Sequence, residues 1–411
     1  MPLESKECLC LNLGRAYIDY LDIDHLCLST FPDEPLNAVQ AFKNVVNSDI
    51  YDPGEKNTGF SNHVGWLEPV QDTLIPSNEA IENLERIAAE FREKTDSIIF
   101  VCSSSFASAI KAGVDFFYPD FPEDMHRLIF AESGLGKAEM QRLLSFAKQN
   151  KCGLIAAEDI RFSHGESLIF NELKSAVPEE LVCILTNSST GFLSEFARQS
   201  NVKTVQMDEG FTANAAMLSH AALLPLAIGG INIGNIVQGA CLEPIPDMES
   251  FVPAGCAGAG ATLEIMLPLS SLNIKNYSAA KHLLQARGFV SETFVYASPR
   301  LAGFVQWAKN MFTQTSSIYA DALHVSSVND AQPLSHEPYF ETVLQIGRSP
   351  EEDEPTDLDA AANASLLLLM RRQRKSGLPI IHIELPRATP EFYGAAISLF
   401  AKTAEVMKLW K

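Results

Sequence analysis

Short apolar segments alternate with longer amphipathic segments along the chain from residue 96 onward. The pattern predicts a strand that runs into a helix at residues 96–105, and further strands at 127–133, 151–158, 181–187 and 202–207. The segments between them, such as AEMQRLLSFAKQN, place apolar residues three and four positions apart, the spacing of one helix face. A repeated order of strand, helix and strand predicts a parallel, doubly wound sheet.

The same rhythm restarts beyond a junction at residues 234–271 that is rich in Gly, Ala and Pro. Its candidate strands are SETFVYASP, ALHVSSV, FETVLQIG and PIIHIELP, and its candidate helices include RLAGFVQWAKNMF and ATPEFYGAAISLFAKTAEVMK. We therefore predict an α/β fold with two doubly wound parallel-sheet lobes of three-layer αβα architecture. The lobes are placed at residues 56–240 and 241–411, after an N-terminal extension at residues 1–55.

Composition and charge exclude some classes of protein and of binding partner. Of the 411 residues, 46% are hydrophobic and 20% are charged, which is typical of a folded globular protein. The formal net charge of −20 leaves no basic surplus for nucleic acid or an anionic membrane surface, so neither is expected as a partner. We find no signal-peptide pattern and no uninterrupted apolar span, and therefore expect a cytoplasmic protein.

Neither a metal nor a cofactor is expected. The eight cysteines are scattered, and Cys8 and Cys10 form a lone C-x-C with no second ligand pair, so reduced structural thiols are the prediction. The segment PAGCAGAGATLE at residues 253–264 imitates a dinucleotide-binding glycine motif. It does not lie between a clear strand and helix of a βαβ unit, and is interpreted as part of a flexible junction.

Two clusters of small polar residues follow predicted strands, where parallel sheets bind ligands. Ser103, Ser104 and Ser105 follow the first strand, and the second cluster follows the fourth. This second cluster consists of Asn187, Ser188, Ser189 and Thr190. Hydroxyl groups beside free backbone N–H groups form a natural seat for a phosphate or a sugar, although the same residue types also serve as ordinary helix N-caps.

A third loop follows the strand at residues 151–158 and contains carboxylates, an imidazole and a guanidinium close together in the sequence. Arg161, His164 and Glu166 are candidates for acid–base chemistry, and a charged surface loop is the alternative interpretation. His220, in the apolar segment 215–236, is expected to be a buried histidine with its hydrogen bonds satisfied rather than a catalyst.

The order of these pieces from Asn57 to the C-terminus resembles the phosphoglucose isomerase (glucose-6-phosphate isomerase) family. The most similar segment is LLPLAIGGINIGNIVQGA at residues 223–240, which is similar to the family pattern GLLPIAxxGxDxxxLxxGA. Further similar segments are NTGFSNHVGWLEP, DSIIFVCSSSFASAIKAG, ILTNSSTGFLSEFARQSNVKTVQM, YFETVLQI and GLPIIHIELPRATPEFYGAAISLF. The resemblance implies two sugar-isomerase (SIS) lobes, a sugar or sugar-phosphate ligand and a homodimer.

The chain departs from that family at the positions that carry its chemistry. Asn214 stands where the family has the arginine of G-G-R-[YF]-S, and residues 156–161 replace the phosphate loop S-x-S-G-T-T-x-E. Gln314 and Gln373 align with the family's glutamate base and ring-opening histidine. The family's catalytic lysine falls in a helix beyond Lys411. The amide of Asn214 supplies a dipole for ligand binding but no cation.

Three functions follow from this comparison. We favour a phosphoglucose-isomerase-like protein without the catalytic set, acting as a non-catalytic or very weak relative that binds a sugar or a sugar phosphate or has an assembly or regulatory role, with a protein partner as a further option. The second is an active aldose–ketose isomerase rebuilt for another sugar around Arg161, His164 and Glu166. The third is glucose-6-phosphate isomerase activity itself.

Overall fold

The computed structural model describes residues 76–117, 127–158, 162–186, 191–207, 216–240, 291–315, 323–327, 339–348, 364–366, 368–369 and 380–409. These residues form two compact units. One contains the described residues from 76 to 237 except 115–117, and the other contains 115–117 together with those from 238 onward. The predicted N-terminal extension and most of the junction lie outside the described residues.

The chain from residue 76 to 240 alternates helices and strands as the apolar pattern predicts. In order, the elements are α1 (Asn78–Lys94), β1 (Ser97–Val101), α2 (Ser104–Phe117), β2 (Arg127–Ala131), α3 (Lys137–Gln149), β3 (Cys152–Glu158), α4 (His164–Leu173), β4 (Val182–Thr186), α5 (Phe192–Gln199), β5 (Lys203–Gln206), α6 (His220–Ile228) and α7 (Ile233–Ala240). The five strands are parallel in the order β2-β1-β3-β4-β5. The predicted parallel α/β fold is therefore confirmed for this sheet.

Both faces of this sheet are covered by helices. Even-numbered residues of β3 and β4, such as Leu154 and Ile184, share a buried cluster with Phe170 of α4 and Leu193 of α5. Odd-numbered residues face the opposite side, because side chains alternate along a strand. There the Cβ position of Gly153 would lie 2.7 Å from the Phe91 ring of α1. The arrangement is the predicted helix–sheet–helix layering.

Helix α6, from the segment most similar to the isomerase pattern, is buried along its whole length. Its C-terminus ends in a Schellman motif, in which Gly230 donates to the carbonyl of Ala227 and Ile231 donates to that of Leu226. Gly230 has a φ of 88°, a left-handed conformation that favours glycine. Arg92 of α1 also donates from Nη1 to the Ala227 carbonyl at 2.7 Å. The left-handed conformation explains the second glycine of LLPLAIGGIN.

The second unit contains another parallel sheet. Its elements are β6 (Ser291–Tyr296), α8 (Ala302–Thr315), β7 (Leu323–Ser327), β8 (Tyr339–Arg348), β9 (Ile380–Arg387) and α9 (Pro390–Leu409). The strand order is β7-β6-β8-β9 with every pair parallel. Helices α8 and α9 pack together through the rings of Phe304 and Phe400, whose centroids are 5.3 Å apart. None of the helices in the described ranges is both long and apolar enough to cross a bilayer.

Candidate functional site

The strand order of the first sheet places a crevice at the carboxyl ends of β1 and β3. The chain leaves β1 for β2 on one side of the sheet and then crosses to β3 on the other, so that the direction of winding reverses between them. Ligands of open α/β sheets bind at such switch points, outside the carboxyl ends of the strands. Ser103 follows β1, and Glu158 and Thr186 are the last residues of β3 and β4.

The serine cluster after β1 begins α2. Ser103 is buried, and its carbonyl accepts a hydrogen bond from the backbone N–H of Ala107 at 3.0 Å. Ser104 is the first helical residue and is exposed. Ser105 lies in the first turn of α2, and its side chain is outside the described part of the structure. The predicted contact of these three residues with a ligand stays a prediction.

Glu158 is a buried carboxylate at the carboxyl end of β3, the middle strand of the sheet. This residue is only 6% exposed. The backbone N–H of Leu193 lies 3.1 Å from Oε2 and 3.2 Å from Oε1, and that of Ser194 lies 3.3 Å from Oε2. Both N–H groups belong to the first turn of α5, which begins at Phe192. The carboxylate therefore sits on the positive end of the helix dipole and satisfies backbone donors that have no partner within the helix.

Strand register and a glycine create the space that Glu158 occupies. Glu158 is the direct neighbour of Thr186 across β3 and β4, and the Thr186 hydroxyl lies 3.4 Å from Oε2. Thr186 also shares a hydrogen bond of 2.8 Å with the hydroxyl of Ser194. Gly191 is the N-cap of α5, and a Cβ atom there would overlap the Glu158 carboxylate. The side chain of Glu158 thus fills the position in which a side-chain cap of α5 would otherwise stand.

A second carboxylate closes the N-terminus of α4, the helix that follows β3. Ser163 and Glu166 form a capping box, in which the Ser163 N–H donates to Glu166 Oε2 at 2.8 Å and the Gly165 N–H donates to Ser163 Oγ at 3.1 Å. The Ser163 hydroxyl also bonds to the Glu166 carboxylate. Glu166 is only 2% exposed. The first-turn N–H groups of Gly165 and Glu166 are therefore engaged by the Ser163 side chain.

The hydrogen bonds around Glu166 decide its charge. Burial is the largest single influence and would raise its pKa. Hydrogen bonds from the side chain of Ser163, the backbone of Glu166, the side chain of Ser133 and the backbone of Ser163 together outweigh burial and lower the pKa below its ordinary value. Glu166 is therefore an ionised carboxylate and a weak base near neutral pH.

The structure describes only some of the predicted site residues. His164 is the first residue of α4 and is exposed, next to the capping box. Several predicted residues lie outside the described ranges, namely Arg161, Asn187, Ser188, Ser189, Thr190, Asn214 and Gln373. Gln314 lies in α8, and its side chain is not described. Their assigned roles stay predictions.

His220 differs from its expectation in one respect. It is buried, as expected, at the first position of α6, where Ser219 accepts a hydrogen bond from the N–H of Ala222. Its Nδ1 atom, however, has no hydrogen-bond partner in the described part of the chain, so the prediction of a satisfied histidine is wrong. Burial lowers the pKa of His220 to about 4, and the imidazole is neutral at physiological pH.

Sequence reasoning placed Glu158 in the segment that aligns with the family's phosphate loop but missed its contact with the N-terminus of α5, although a signal was available. Leu154, Ala156 and Glu158 alternate along β3 and therefore share the face that packs against α5. Among the described residues, no group of three or more His, Cys, Asp and Glu side chains could hold a metal ion. The described site is one of hydroxyls, backbone N–H groups and carboxylates.

Comparison with known proteins identifies relatives of this chain by sequence and by structure. No protein-family model matches the chain. The glucose-6-phosphate isomerase of Staphylococcus saprophyticus is 21% identical over 407 aligned positions, covering 88% of this chain and 85% of that protein. The enzyme of the same name from Acholeplasma laidlawii is 22% identical and covers 76% of this chain and 74% of its own length.

Solved structures agree with the sequence relatives. A hypothetical protein from Thermus thermophilus superimposes with a TM-score of 0.68 at 15% identity, over 95% of this chain and 93% of that one. A glucose-6-phosphate isomerase from Chlamydia trachomatis superimposes with a TM-score of 0.66 at 10% identity, over 91% and 79% of the two chains. The chain is a divergent relative of the glucose-6-phosphate isomerases.

This relationship gives the two carboxylates a context. Residues 156–161, which are predicted to replace the family's phosphate loop, begin within β3. They include Glu158, which is held by α5, and they precede the capping box of Ser163 and Glu166. Both helix N-termini next to this segment therefore carry a carboxylate of the chain itself.

Proposed function

We propose that this isomerase-like chain is a sugar-binding relative that has lost the family's catalytic set, and that it acts by binding, assembly or regulation. The observation that carries the proposal is the capping box of α4, in which Ser163 Oγ accepts from the first-turn N–H groups of Gly165 and Glu166 and the Glu166 carboxylate lies beside them. A phosphate dianion brought to this place would meet an ionised carboxylate and find these donors already engaged.

The alternative of a rebuilt isomerase would use Glu166 or His164 as the base. A general base is most effective when its pKa lies near the working pH, and the pKa of Glu166 is lowered from its ordinary value, away from neutral pH. Taking a proton would also weaken the hydrogen bonds from Ser163 that cap α4. The structural task of Glu166 competes with proton transfer, and this favours the non-catalytic proposal.

The ligand that we propose is a sugar bound through its hydroxyl groups. Ser103 and Ser104 stand at the carboxyl end of β1. Asn214 is assigned to the site because it aligns with the family's arginine. Hydroxyl and amide groups pair well with the hydroxyls of a sugar and require no cation.

Homodimer formation also stays a prediction. Light scattering would test it, because a dimer has about twice the 45.0 kDa mass of one chain.

A coupled assay tests the proposal. Fructose 6-phosphate is supplied to the purified chain, and glucose 6-phosphate is detected with an NADP-dependent dehydrogenase. Since each missing acid or base typically costs about a hundredfold in rate, we expect no turnover above the buffer blank. A panel of unphosphorylated ketoses and aldoses tests the rebuilt isomerase in the same way. Turnover that is abolished by Glu166→Gln or His164→Ala would overturn the non-catalytic proposal in favour of that enzyme.

A further inference from the structure

His220 combines deep burial with an unpaired nitrogen atom. The residue is only 6% exposed, and its Nδ1 atom has no hydrogen-bond partner in the part of the chain that the structure describes. Buried polar atoms are nearly always hydrogen-bonded, because an unpaired one costs folding free energy. A polar atom left in this state is expected where a bound molecule supplies the missing partner.

The position of His220 places its imidazole at the start of α6. His220 is the first residue of this helix, and helical side chains tilt toward the helix N-terminus. The carbonyl of the N-cap Ser219 accepts hydrogen bonds from the N–H groups of Ala222 at 3.1 Å and Leu223 at 2.9 Å. The earlier N–H groups, those of His220 and Ala221, have no acceptor within the helix. The unpaired imidazole nitrogen and these two donors therefore share the buried end of α6.

The surroundings of His220 suit an uncharged hydroxyl group. From Ala221 to Ile228 the helix is apolar and buried. Within the described ranges, no charged side chain forms an ion pair with His220. Burial lowers the pKa of the imidazole to about 4, so the neutral ring has one donor and one acceptor nitrogen at physiological pH. A hydroxyl group also donates and accepts, and it brings no charge into an apolar environment.

The start of α6 is close along the chain to a predicted ligand contact. Six residues separate Asn214, which aligns with the family's arginine, from His220, and Ala216–Leu218 between them form a short 3-10 helix. Even a fully extended chain of six residues spans only about 20 Å. A ligand at Asn214 and the imidazole of His220 therefore belong to the same region of the first unit.

We infer that the N-terminus of α6 is a sugar-binding position, where His220 Nδ1 forms a hydrogen bond with an uncharged hydroxyl group of a bound sugar. The inference rests on the proposed function, because it names a residue that binds the proposed sugar. An apolar side chain would fill a buried helix position without leaving a polar atom unpaired. Binding of the hydroxyl is the reason for a histidine here.

Two substitutions test the nitrogen at this position. In His220→Asn the amide lies near the former place of Nδ1, whereas His220→Leu has no polar atom. Melting temperatures of the full-length wild type and of both variants are measured against increasing D-glucose and D-fructose. We expect a saturable rise on the order of 2 °C in the wild type and in His220→Asn. In His220→Leu the apparent affinity should fall about tenfold, since the hydrogen bond is lost.

A matched control separates binding from the general effect of sugars on stability. Exclusion of sugar from the protein surface stabilises every variant alike and does not saturate. His324 is a half-buried histidine in β7 of the second unit. His324→Leu removes an imidazole there and should keep the saturable response of the wild type.

NMR of the wild type, labelled with a nitrogen isotope in its histidines, reads the hydrogen bond directly and does not depend on the folding of a variant. The signals of His220 are those absent from His220→Asn. Addition of the stabilising sugar should shift the Nδ1 resonance of His220 and leave that of His324 in place. A histidine with a packing role alone would show no such shift.

The outcomes distinguish this inference from the proposed function. A saturable response that is undiminished in His220→Leu, or an unchanged Nδ1 resonance, would overturn the inference and leave sugar binding elsewhere in place. A wild type that neither sugar stabilises would overturn the inference together with the sugar-binding part of the proposed function. Turnover in the coupled assay would overturn the non-catalytic proposal, and the role of His220 would still be judged from these titrations.

Discussion

The buried imidazole of His220 makes the stability of the fold depend on pH in a defined window. Burial lowers the pKa of this residue to about 4, compared with an ordinary value of 6.5. The unfolded chain therefore binds a proton between these two pH values, whereas the folded chain does not. Stability from this group is present in full above pH 6.5 and is lost as the pH falls toward 4.

The magnitude follows from the linkage relation. The complete difference between the two pKa values corresponds to about 3 kcal/mol, and about 2 kcal/mol of it is lost between pH 7.5 and pH 5. Because His220 is only 6% exposed, solvent does little to stabilise its protonated form in the folded chain. Glu166 contributes little in this window, because its lowered pKa places its titration at more acid pH.

Urea unfolding followed by circular dichroism at pH 7.5 and pH 5 measures this loss. In His220→Leu, which cannot titrate, the difference between the two pH values should shrink by about 2 kcal/mol. Packing changes caused by the substitution affect both conditions alike and cancel in the difference. His164→Gln is the matched control, because it also removes an imidazole from the first position of a helix, but from an exposed one. If His220→Leu lost as much stability as the wild type on acidification, the reasoning would be refuted.

Three further predictions concern groups in the first unit. Burial raises the pKa of the Cys183 thiol to about 12, so iodoacetamide at pH 8.5 should modify it on the order of 100-fold more slowly in the folded protein than in urea, as read by mass spectrometry. Gly153→Ala should lower the free energy of unfolding by about 1–3 kcal/mol in urea titrations, since its Cβ would press on the ring of Phe91. Glu166→Gln should lower the free energy of unfolding by about 1–2 kcal/mol at pH 7, and this difference from the wild type should fade as the pH falls below 4.5. Glu172→Gln is the control, because Glu172 is exposed on the same helix, and it should change the free energy of unfolding little. An unchanged urea midpoint at pH 7 for either Gly153→Ala or Glu166→Gln would contradict the packing or capping described for that residue.

The strands of the first sheet were predictable because their apolar runs are short, continuous and separated by helical spacing. Residues 97–101, 152–158 and 182–186 all lie inside predicted strands, and each is buried along its length. A strand covered by helices on both faces needs apolar residues at nearly every position, and this leaves a signal that no turn or surface helix imitates.

The candidate site was less predictable, because its contacts join residues that are distant in sequence. Glu158 and Leu193 are 35 residues apart, and only the pairing of β3 with β4 and the position of α5 bring the carboxylate to the helix N-terminus. The capping box of Ser163 and Glu166 was more accessible to prediction, since a serine followed three residues later by a glutamate is a known sequence signal for a helix N-terminus. The unpartnered Nδ1 of His220 leaves no sequence pattern at all.

Direct titration of the wild-type chain with fructose 6-phosphate, followed by isothermal calorimetry, tests the central claim, that this crevice no longer receives a sugar phosphate. Enzymes typically have KM values of roughly 1 μM to 1 mM. The two carboxylates at the N-termini of α4 and α5 predict no saturable heat up to about 10 mM ligand, ten times the weak end of that range. A saturable isotherm with a dissociation constant below about 1 mM would contradict the account.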